Sequence, residues 1–246
     1  MTFAVVTFPG SNCDRDCKDI AGRVLDCEVR SVFHKESSLG KCDAVIIPGG
    51  FAYGDYLRAG ALAKLSPIMD DIRRFAERGG LVLGICNGFQ ILCEAGLLPG
   101  ALMRNKSLLF LSRLVTLRVE NDQTAFTSEY ARGQLITMPI AHAEGCYVAD
   151  DQTIEQLESR QRVVFRYVPS SPADTTDGNP NGSVNAIAGL INDRGNVLGM
   201  MPHPERASDS LVTRTDGLGV LLSVARHVMS PSPEAVVLSG PAARIS

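Results

Sequence analysis

Residues 1–100 alternate short β-branched runs with segments of helical length, and this alternation constrains the fold more than any other feature. Four of the runs have the length and composition of buried strands, and they span residues 3–8, 27–33, 43–48 and 81–85. Such alternation is typical of parallel β-α units, in which a helix returns the chain to the start of the next strand. We therefore predict an α/β fold with a mostly parallel central sheet flanked by helices.

The middle of the chain changes character, because long helical patterns become few. Strand-like stretches at 113–119, 134–140 and 163–167 predict a smaller, partly antiparallel sheet. Two further apolar runs between residues 186 and 201 are separated by Asp-Arg-Gly-Asn and predict a hairpin. A helix around 219–229 is expected to close the fold.

The 246 residues are predicted to form one domain followed by a tail. No internal repeat and no linker interrupts residues 1–229, which we interpret as the domain. Residues 230–246 mix Ser, Pro and Ala, a composition that indicates a loosely ordered tail.

Composition and charge exclude several classes of protein. The chain has 24 basic and 27 acidic residues, so it lacks the basic excess of a nucleic-acid-binding protein. No apolar run reaches the length needed to cross a membrane, and the N-terminus has no basic leader typical of a secretory signal. The seven cysteines follow no scaffold-like pattern, which suits a reducing compartment. We therefore predict a cytoplasmic protein that binds neither nucleic acid nor membrane.

The most informative short motif is Gly-x-Cys-x-Gly at residues 84–88, where a buried strand meets a helix. This is the cysteine form of a nucleophile elbow, in which Gly84 and Gly88 remove side chains that would collide around the sharp turn. The turn places Cys86 at a helix N-terminus, where the helix dipole stabilises a thiolate. The alternative is a buried structural cysteine, the role that we assign to Cys93.

A thiol nucleophile needs a base, and the chain has four histidines. His203 lies between two prolines in Pro-His-Pro-Glu, directly after a buried strand. The prolines favour extended backbone, in which Glu205 can turn back to His203 and orient its ring. The alternative is a prolyl turn with solvated side chains. We interpret His34 and His227 as structural or solvated.

A tetrahedral intermediate also needs hydrogen-bond donors for its negatively charged oxygen. One candidate is the backbone N–H of Asn87, the residue after the nucleophile. The second candidate is the N–H of Gly50 or Phe51, because Pro48-Gly49-Gly50-Phe51 ends a strand in two glycines that allow close backbone approach. A tight structural turn is the alternative for this glycine pair.

Together these motifs resemble the class I, triad-type glutamine amidotransferases, which have a flavodoxin-like α/β fold. The matching segments are Pro-Gly-Gly-Phe at 48–51, Gly-Ile-Cys-Asn-Gly-Phe-Gln at 84–90 and His-Pro-Glu-Arg at 203–206. Three longer stretches resemble the glutaminase subunits of phosphoribosylformylglycinamidine synthases, enzymes of purine biosynthesis; they span residues 48–60, 139–145 and 179–183. The resemblance covers the chain from the first strand to about residue 229.

The resemblance implies that Cys86 is the nucleophile, His203 the base and acid, and Glu205 the residue that orients His203. Cys86 would form a glutamyl thioester and release ammonia into a protected channel. A synthetase large subunit would use ATP and Mg²⁺ to make the amidine, and a small accessory subunit would be a second partner. This chain lacks a phosphate-binding Gly-rich loop, so no cofactor is predicted on it.

The same resemblance places Gln90 near bound glutamine and makes two other segments candidates for the glutamine pocket. His142, Ala143 and Glu144 follow a predicted strand and could line the pocket or the partner interface; a buried polar network is the alternative. Asn105 is a candidate for the rim of the pocket, with a plain loop as the alternative.

Other functions stay open from the residues alone. They are a glutaminase serving a different ammonia acceptor, a cysteine hydrolase of the same architecture, and a binding subunit without activity. Pro-His-Pro-Glu argues against the hydrolase. A binding subunit without activity would lack one of the three triad residues, and none of them is missing from this sequence. Cys13 and Cys17 have helical spacing suited to a metal, but no further ligand cluster accompanies them in sequence, so no metal site is predicted.

Overall fold

The computed structural model describes residues 1–171, 178–211 and 214–230. The strands are β1 (Thr2–Thr7), β2 (Glu28–Phe33), β3 (Ala44–Ile47), β4 (Leu81–Ile85), β5 (Ala101–Met103), β6 (Leu111–Val119), β7 (Leu135–His142), β8 (Cys146–Val148), β9 (Val163–Val168), β10 (Ile187–Ile191) and β11 (Val197–Met200). The α-helices are α1 (Asp14–Asp19), α2 (Ile68–Glu77), α3 (Asn87–Glu94), α4 (Asp151–Ser159) and α5 (Leu218–Met229).

A nine-stranded sheet in the order β2-β1-β3-β4-β11-β10-β9-β6-β7 organises the fold. Its first five strands are parallel, and the remaining four run antiparallel to their neighbours. The α/β fold predicted from the sequence is confirmed. The antiparallel strands predicted in the middle of the chain extend the central sheet, and the separate small sheet consists of β5 and β8.

The parallel part of the sheet forms the centre of the core. Every residue of β3, β4 and β11 is buried, as expected for strands covered on both faces. Helix α2 packs against β4 and buries Ile68, Met69, Ile72 and Ala76, which recur at helical spacing on one side. The predicted helices after Cys86 and at the end of the domain are confirmed as α3 and α5.

Parallel neighbours β3, β4 and β11 end at the same edge of the sheet. Ile47 of β3 pairs with Gly84 of β4, and Ile85 of β4 pairs with Met200 of β11. The residues that follow these strands are therefore brought together, as expected for ligand sites in parallel α/β sheets. They include Gly49, Cys86 and His203, the centres of the three motifs.

Some sequence predictions fall outside the described residues. Of the predicted tail at 230–246, only Ser230 is described. Helix α4 was not predicted. Among the described residues, no helix combines the length and apolar composition that a membrane crossing requires.

Candidate active site

Cys86 occupies the sharp turn between β4 and α3. Its backbone has φ +51° and ψ −105°, a region that non-glycine residues adopt at a cost of about 1–3 kcal/mol. A Cβ on Gly84 would lie 2.8 Å from the backbone of Gly88, and a Cβ on Gly88 would overlap the carbonyl oxygen of Ile47. The elbow geometry and the need for both glycines are confirmed.

The thiol of Cys86 is shielded from solvent. The residue is only 4% exposed, and its Sγ is 3.7 Å from the carbonyl oxygen of Ala141. Its backbone N–H donates to Met200 at 2.8 Å, which ties the elbow to β11. Because Cys86 directly precedes α3, the helix dipole favours a negative charge on its sulfur.

His203 and Glu205 form a buried pair beside this elbow. Nδ1 of His203 donates to Oε1 of Glu205 at 2.7 Å, and both residues are at most 3% exposed. The backbone N–H of His203 donates to Pro139 of β7 at 2.9 Å. With Nδ1 used by the carboxylate, Nε2 is the ring nitrogen left for chemistry, and it has no hydrogen-bond partner of standard geometry among the described residues.

The imidazole and the elbow cysteine converge above Gly49. A Cβ on Gly49 would lie 2.7 Å from Cε1 of His203 and 3.4 Å from Cβ of Cys86. Burial lowers the pKa of His203, but the negative charges of Glu205 and Cys86 and the nearby thiols raise it, and the net pKa is well above its usual value. The arrangement therefore favours a positively charged His203 ring beside Cys86.

The candidate oxyanion donors differ in their availability. The N–H of Phe51 donates to the carbonyl oxygen of Gly10 at 2.9 Å. The N–H groups of Gly50 and Asn87 have no acceptor among the described residues. Of the two possibilities for the second donor, the structure thus leaves Gly50 available.

Gln90 lies one turn into α3, and both ends of its amide are held by the protein. Its Nε2 donates to the carbonyl oxygen of Glu144 at 2.5 Å, and its Oε1 accepts from Nδ2 of Asn87 at 2.8 Å. The side chain therefore joins the elbow helix to the segment after β7.

Asn105 and His142 form a buried polar network under that segment. Oδ1 of Asn105 accepts from Gly145 and from Nδ1 of His142, both at 3.0 Å, and its Nδ2 donates to the carbonyl of His142 at 2.9 Å. The backbone N–H of Asn105 donates to Ala143 at 2.8 Å. Burial and the charge of His203 lower the pKa of His142 to about 4, so its ring is neutral. For these residues the structure favours the polar network over direct pocket contact.

Two residues near the site were not identified from the sequence. Asp55 is half-buried, and burial together with the charge of Glu144 raises its pKa to about 6. It accepts from Nδ2 of Asn87 at 3.4 Å. Cys13 is buried beside His203, and its sulfur accepts from Nη2 of Arg206 at 3.2 Å. The sequence contained a signal for Asp55, which lies within the family motif at residues 48–60. It contained none for the contact of Cys13 with His203, because that contact joins segments far apart in sequence.

Comparisons with known proteins show which family this chain belongs to. Residues 1–216 match the model of the CobB/CobQ-like glutamine amidotransferase domain. The chain is 56% identical over 226 residues to the phosphoribosylformylglycinamidine synthase subunit PurQ of Salinibacter ruber, covering 92% of this chain and 96% of that protein. It is also 56% identical over 217 residues to PurQ of Gloeobacter violaceus, covering 88% and 94%.

A solved structure also contains a chain similar to this one. PurLQS from Thermotoga maritima contains a chain that is 43% identical, with a TM-score of 0.81, covering 92% of this chain and 98% of that one. Sequence and structure thus agree over nearly the whole length of the relatives. The chain therefore belongs to the CobB/CobQ-like glutamine amidotransferases, and within them to the family of PurQ subunits of phosphoribosylformylglycinamidine synthase.

Proposed function

We propose that this chain hydrolyses glutamine to glutamate and ammonia at Cys86 and delivers the ammonia to the synthetase subunit of phosphoribosylformylglycinamidine synthase. The observation that carries the proposal is the strained elbow of Cys86 facing the buried pair of His203 and Glu205. A thiolate can attack the carboxamide carbon of glutamine, and an imidazolium can supply the proton that the leaving nitrogen needs.

In the first half of the reaction, the Cys86 thiolate bonds to the carboxamide carbon and the carbonyl oxygen becomes negatively charged. The N–H groups of Asn87 and Gly50 stabilise this oxygen. His203 then gives its proton to the nitrogen, the C–N bond breaks, and ammonia leaves a glutamyl thioester on Cys86. Glu205 keeps the ring oriented and stabilises its positive charge throughout.

In the second half, His203 takes a proton from water, which attacks the thioester carbon. The C–S bond breaks, glutamate leaves, and the thiolate-imidazolium pair is restored. The segment of His142, Ala143 and Glu144 borders the glutamine site, held in place by Gln90 and Asn105. Because its Nδ1 donates to Asn105, His142 contributes to the position of this segment rather than to proton transfer.

The ammonia acceptor lies on a partner in this proposal. Phe51 and Phe110 have ring centroids 6.5 Å apart beside the oxyanion loop, and they belong to a group of exposed apolar side chains flanking the site. The group consists of Phe51, Tyr56, Leu57, Leu108, Leu109 and Phe110. Exposed apolar side chains grouped on one surface are typical of protein-binding sites, and docking of the synthetase large subunit here would shield the ammonia from water.

The remaining parts of the proposal follow because glutamine is hydrolysed on this chain and the ammonia is used on the synthetase subunit. ATP and Mg²⁺ act on the synthetase, this chain needs no cofactor of its own, and the small accessory subunit completes a cytoplasmic complex. Residues 1–229 constitute the catalytic domain, and α5 ends at Met229. A different ammonia acceptor is the alternative, and the identity of the PurQ relatives favours the purine enzyme.

The test compares two nitrogen sources in the assembled complex. Cys86→Ala is expected to lower glutamine-dependent amidine synthesis by at least about 10³-fold, because the nucleophile is lost. Ammonia-dependent synthesis should remain within about twofold of wild type, since the acceptor site is on the partner. Cys93→Ala is the matched control, because Cys93 is a buried thiol of the same helix outside the proposed chemistry. Loss of both activities in Cys86→Ala, with a folded complex, would contradict the proposal.

A further inference from the structure

Asp55 is a carboxylate beside the elbow that has no part in the proposed steps of glutamine hydrolysis. It is half-buried, and its Oδ1 accepts from Nδ2 of Asn87 at 3.4 Å, a long hydrogen bond. Because Asn87 directly follows the nucleophile, Asp55 lies against the first turn of α3. The carboxylate is therefore next to the residue whose N–H is proposed to stabilise the oxyanion.

We propose that Asp55 binds the α-ammonium group of glutamine and so selects an amino acid over other primary amides. This inference rests on the proposed glutaminase function and adds a specificity-determining residue to it. A carboxylate accepts hydrogen bonds from an ammonium group, and hydrogen bonds between charged groups are about twice as strong as those between neutral groups.

The burial of Cys86 and Asp55 matches the two ends of a glutamine molecule. Cys86 is only 4% exposed, which suits the uncharged carboxamide and the apolar methylene groups of the substrate. Asp55 is half-buried, so a charged group bound to it keeps part of its hydration. An extended glutamine separates its ammonium nitrogen from its carboxamide carbon by about 5 Å. A carboxylate that is one side chain away from the oxyanion donor is therefore within reach of the ammonium group.

The electrostatic environment of Asp55 favours a cationic ligand. Burial and the negative charge of Glu144 raise the pKa of Asp55 to about 6. An ammonium group beside Asp55 favours its charged form and offsets both effects. Two arginines of this region are engaged elsewhere, because Arg58 pairs with Glu94 and Nε of Arg104 lies 3.8 Å from Oε1 of Glu144. Since no ion pair joins Asp55 to another described residue, the substrate can supply the missing cation.

The loop that carries Asp55 holds an uncommon backbone conformation. Asp55 has φ +53° and Tyr53 has φ +56°, values that few non-glycine residues adopt. The hydroxyl of Tyr53 lies 2.7 Å from Nδ1 of His34 and 3.0 Å from Oγ of Ser66, and both partners are buried. Such backbone persists where surrounding contacts fix it, and it is concentrated at ligand sites. These contacts hold the carboxylate of Asp55 against Asn87.

The test compares glutamine with glutaramate, the same amide without the α-amino group, as nitrogen sources for the assembled complex. In wild type, kcat/KM should be at least about tenfold higher for glutamine than for glutaramate. Asp55→Asn should lose at least about tenfold in kcat/KM on glutamine, mainly through KM, and stay within about threefold of wild type on glutaramate. Asparagine keeps an acceptor for Asn87 and tolerates positive φ, so the variant removes mainly the charge.

Two further variants serve as comparisons. Asp70→Asn removes an exposed carboxylate in the first turn of α2 and should change neither kcat/KM. Glu144→Gln removes the other carboxylate near Asn87 and Gln90. Because Oε2 of Glu144 accepts from the N–H of Ala59 at 3.3 Å, this change should reduce the preference for glutamine less than Asp55→Asn does. Ammonia-dependent synthesis within about twofold of wild type shows that each complex is intact.

Three results would overturn the inference while leaving the glutaminase function standing. The first is equal use of glutamine and glutaramate by the wild-type complex, a measurement that needs no variant. The second is an equal loss on both amides in Asp55→Asn, which would indicate a structural role. The third is a larger loss of preference in Glu144→Gln than in Asp55→Asn. A wild-type complex that uses ammonia but not glutamine would instead refute the glutaminase function itself, so the two failures are distinct.

Discussion

Gly88→Ala tests whether the elbow needs the close approach of α3 to β3. The added Cβ would overlap the carbonyl oxygen of Ile47 and lie 2.8 Å from its carbonyl carbon, where ordinary contact is 3.4–4 Å. Both atoms belong to the backbone of a fully buried strand, so no side-chain rotation can relieve the clash. The helix must therefore move away from the strand.

The expected cost follows from this geometry. Overpacking a well-packed core costs about 1–3 kcal/mol, and a clash with strand backbone lies at the upper end of that range. We therefore expect Gly88→Ala to lower the free energy of unfolding by about 3 kcal/mol. The moving helix also carries the N–H of Asn87, and a displacement of about 1 Å at a reacting group can cost about 10²-fold in rate.

The assays are urea unfolding of the isolated chain and glutamine-dependent synthesis by the complex. Gly22→Ala is the control, because its Cβ would meet only Val29 at 3.6 Å and its φ is not positive. It should change stability by no more than about 1 kcal/mol and leave the rate unchanged. The reasoning is refuted if Gly88→Ala matches this control in both stability and rate.

Two further variants test the groups around the elbow. Glu205→Gln removes the negative charge of Glu205 that raises the pKa of His203, so the pKa of His203 should fall. The alkaline limb of the kcat/KM profile for glutamine should then move to lower pH. An unmoved limb would count against this role of Glu205. Asn105→Ala leaves the N–H of Gly145 and Nδ1 of His142 without their acceptor. We expect it to lower the free energy of unfolding in urea by about 2–3 kcal/mol and to raise the KM for glutamine. An unchanged KM would show that other contacts hold the segment after β7.

The parallel half of the fold could be predicted because its strands are short, continuous apolar runs separated by clear helix signals. Helix α4 was missed because its sequence is mostly polar and only Leu157 is buried, so its apolar period is weak. Its one clear signal is Asp150, whose side chain accepts from the N–H of Thr153 at 2.7 Å as an N-cap.

The membership of the antiparallel strands in the central sheet could not be predicted. Alternating burial shows that one face of β7 is covered, but it does not say which strand lies beside it. The order of the strands depends on pairs of residues far apart in sequence, such as Leu117 with Tyr167 and Gly189 with Phe165. No local sequence pattern encodes these pairs.

Within the candidate site, local motifs were sufficient for some residues and insufficient for others. Cys86, His203 and Glu205 each lie in a short segment whose glycines or prolines impose the needed backbone. Cys13 reaches His203 only because the turn after β1 folds against the end of β3, a contact between segments far apart in sequence. The same turn supplies the carbonyl of Gly10 that occupies the N–H of Phe51, so the choice between oxyanion donors needed the structure.

The central claim is that the sulfur of Cys86 is the atom that attacks glutamine. The most direct measurement treats the complex with a chloroketone analogue of glutamine and locates the modification by peptide mass spectrometry. We predict one modified residue per chain, Cys86, with loss of glutamine-dependent synthesis in proportion to its labelling, and no labelling of Cys86→Ala. Complete inactivation with Cys86 unmodified would contradict the account.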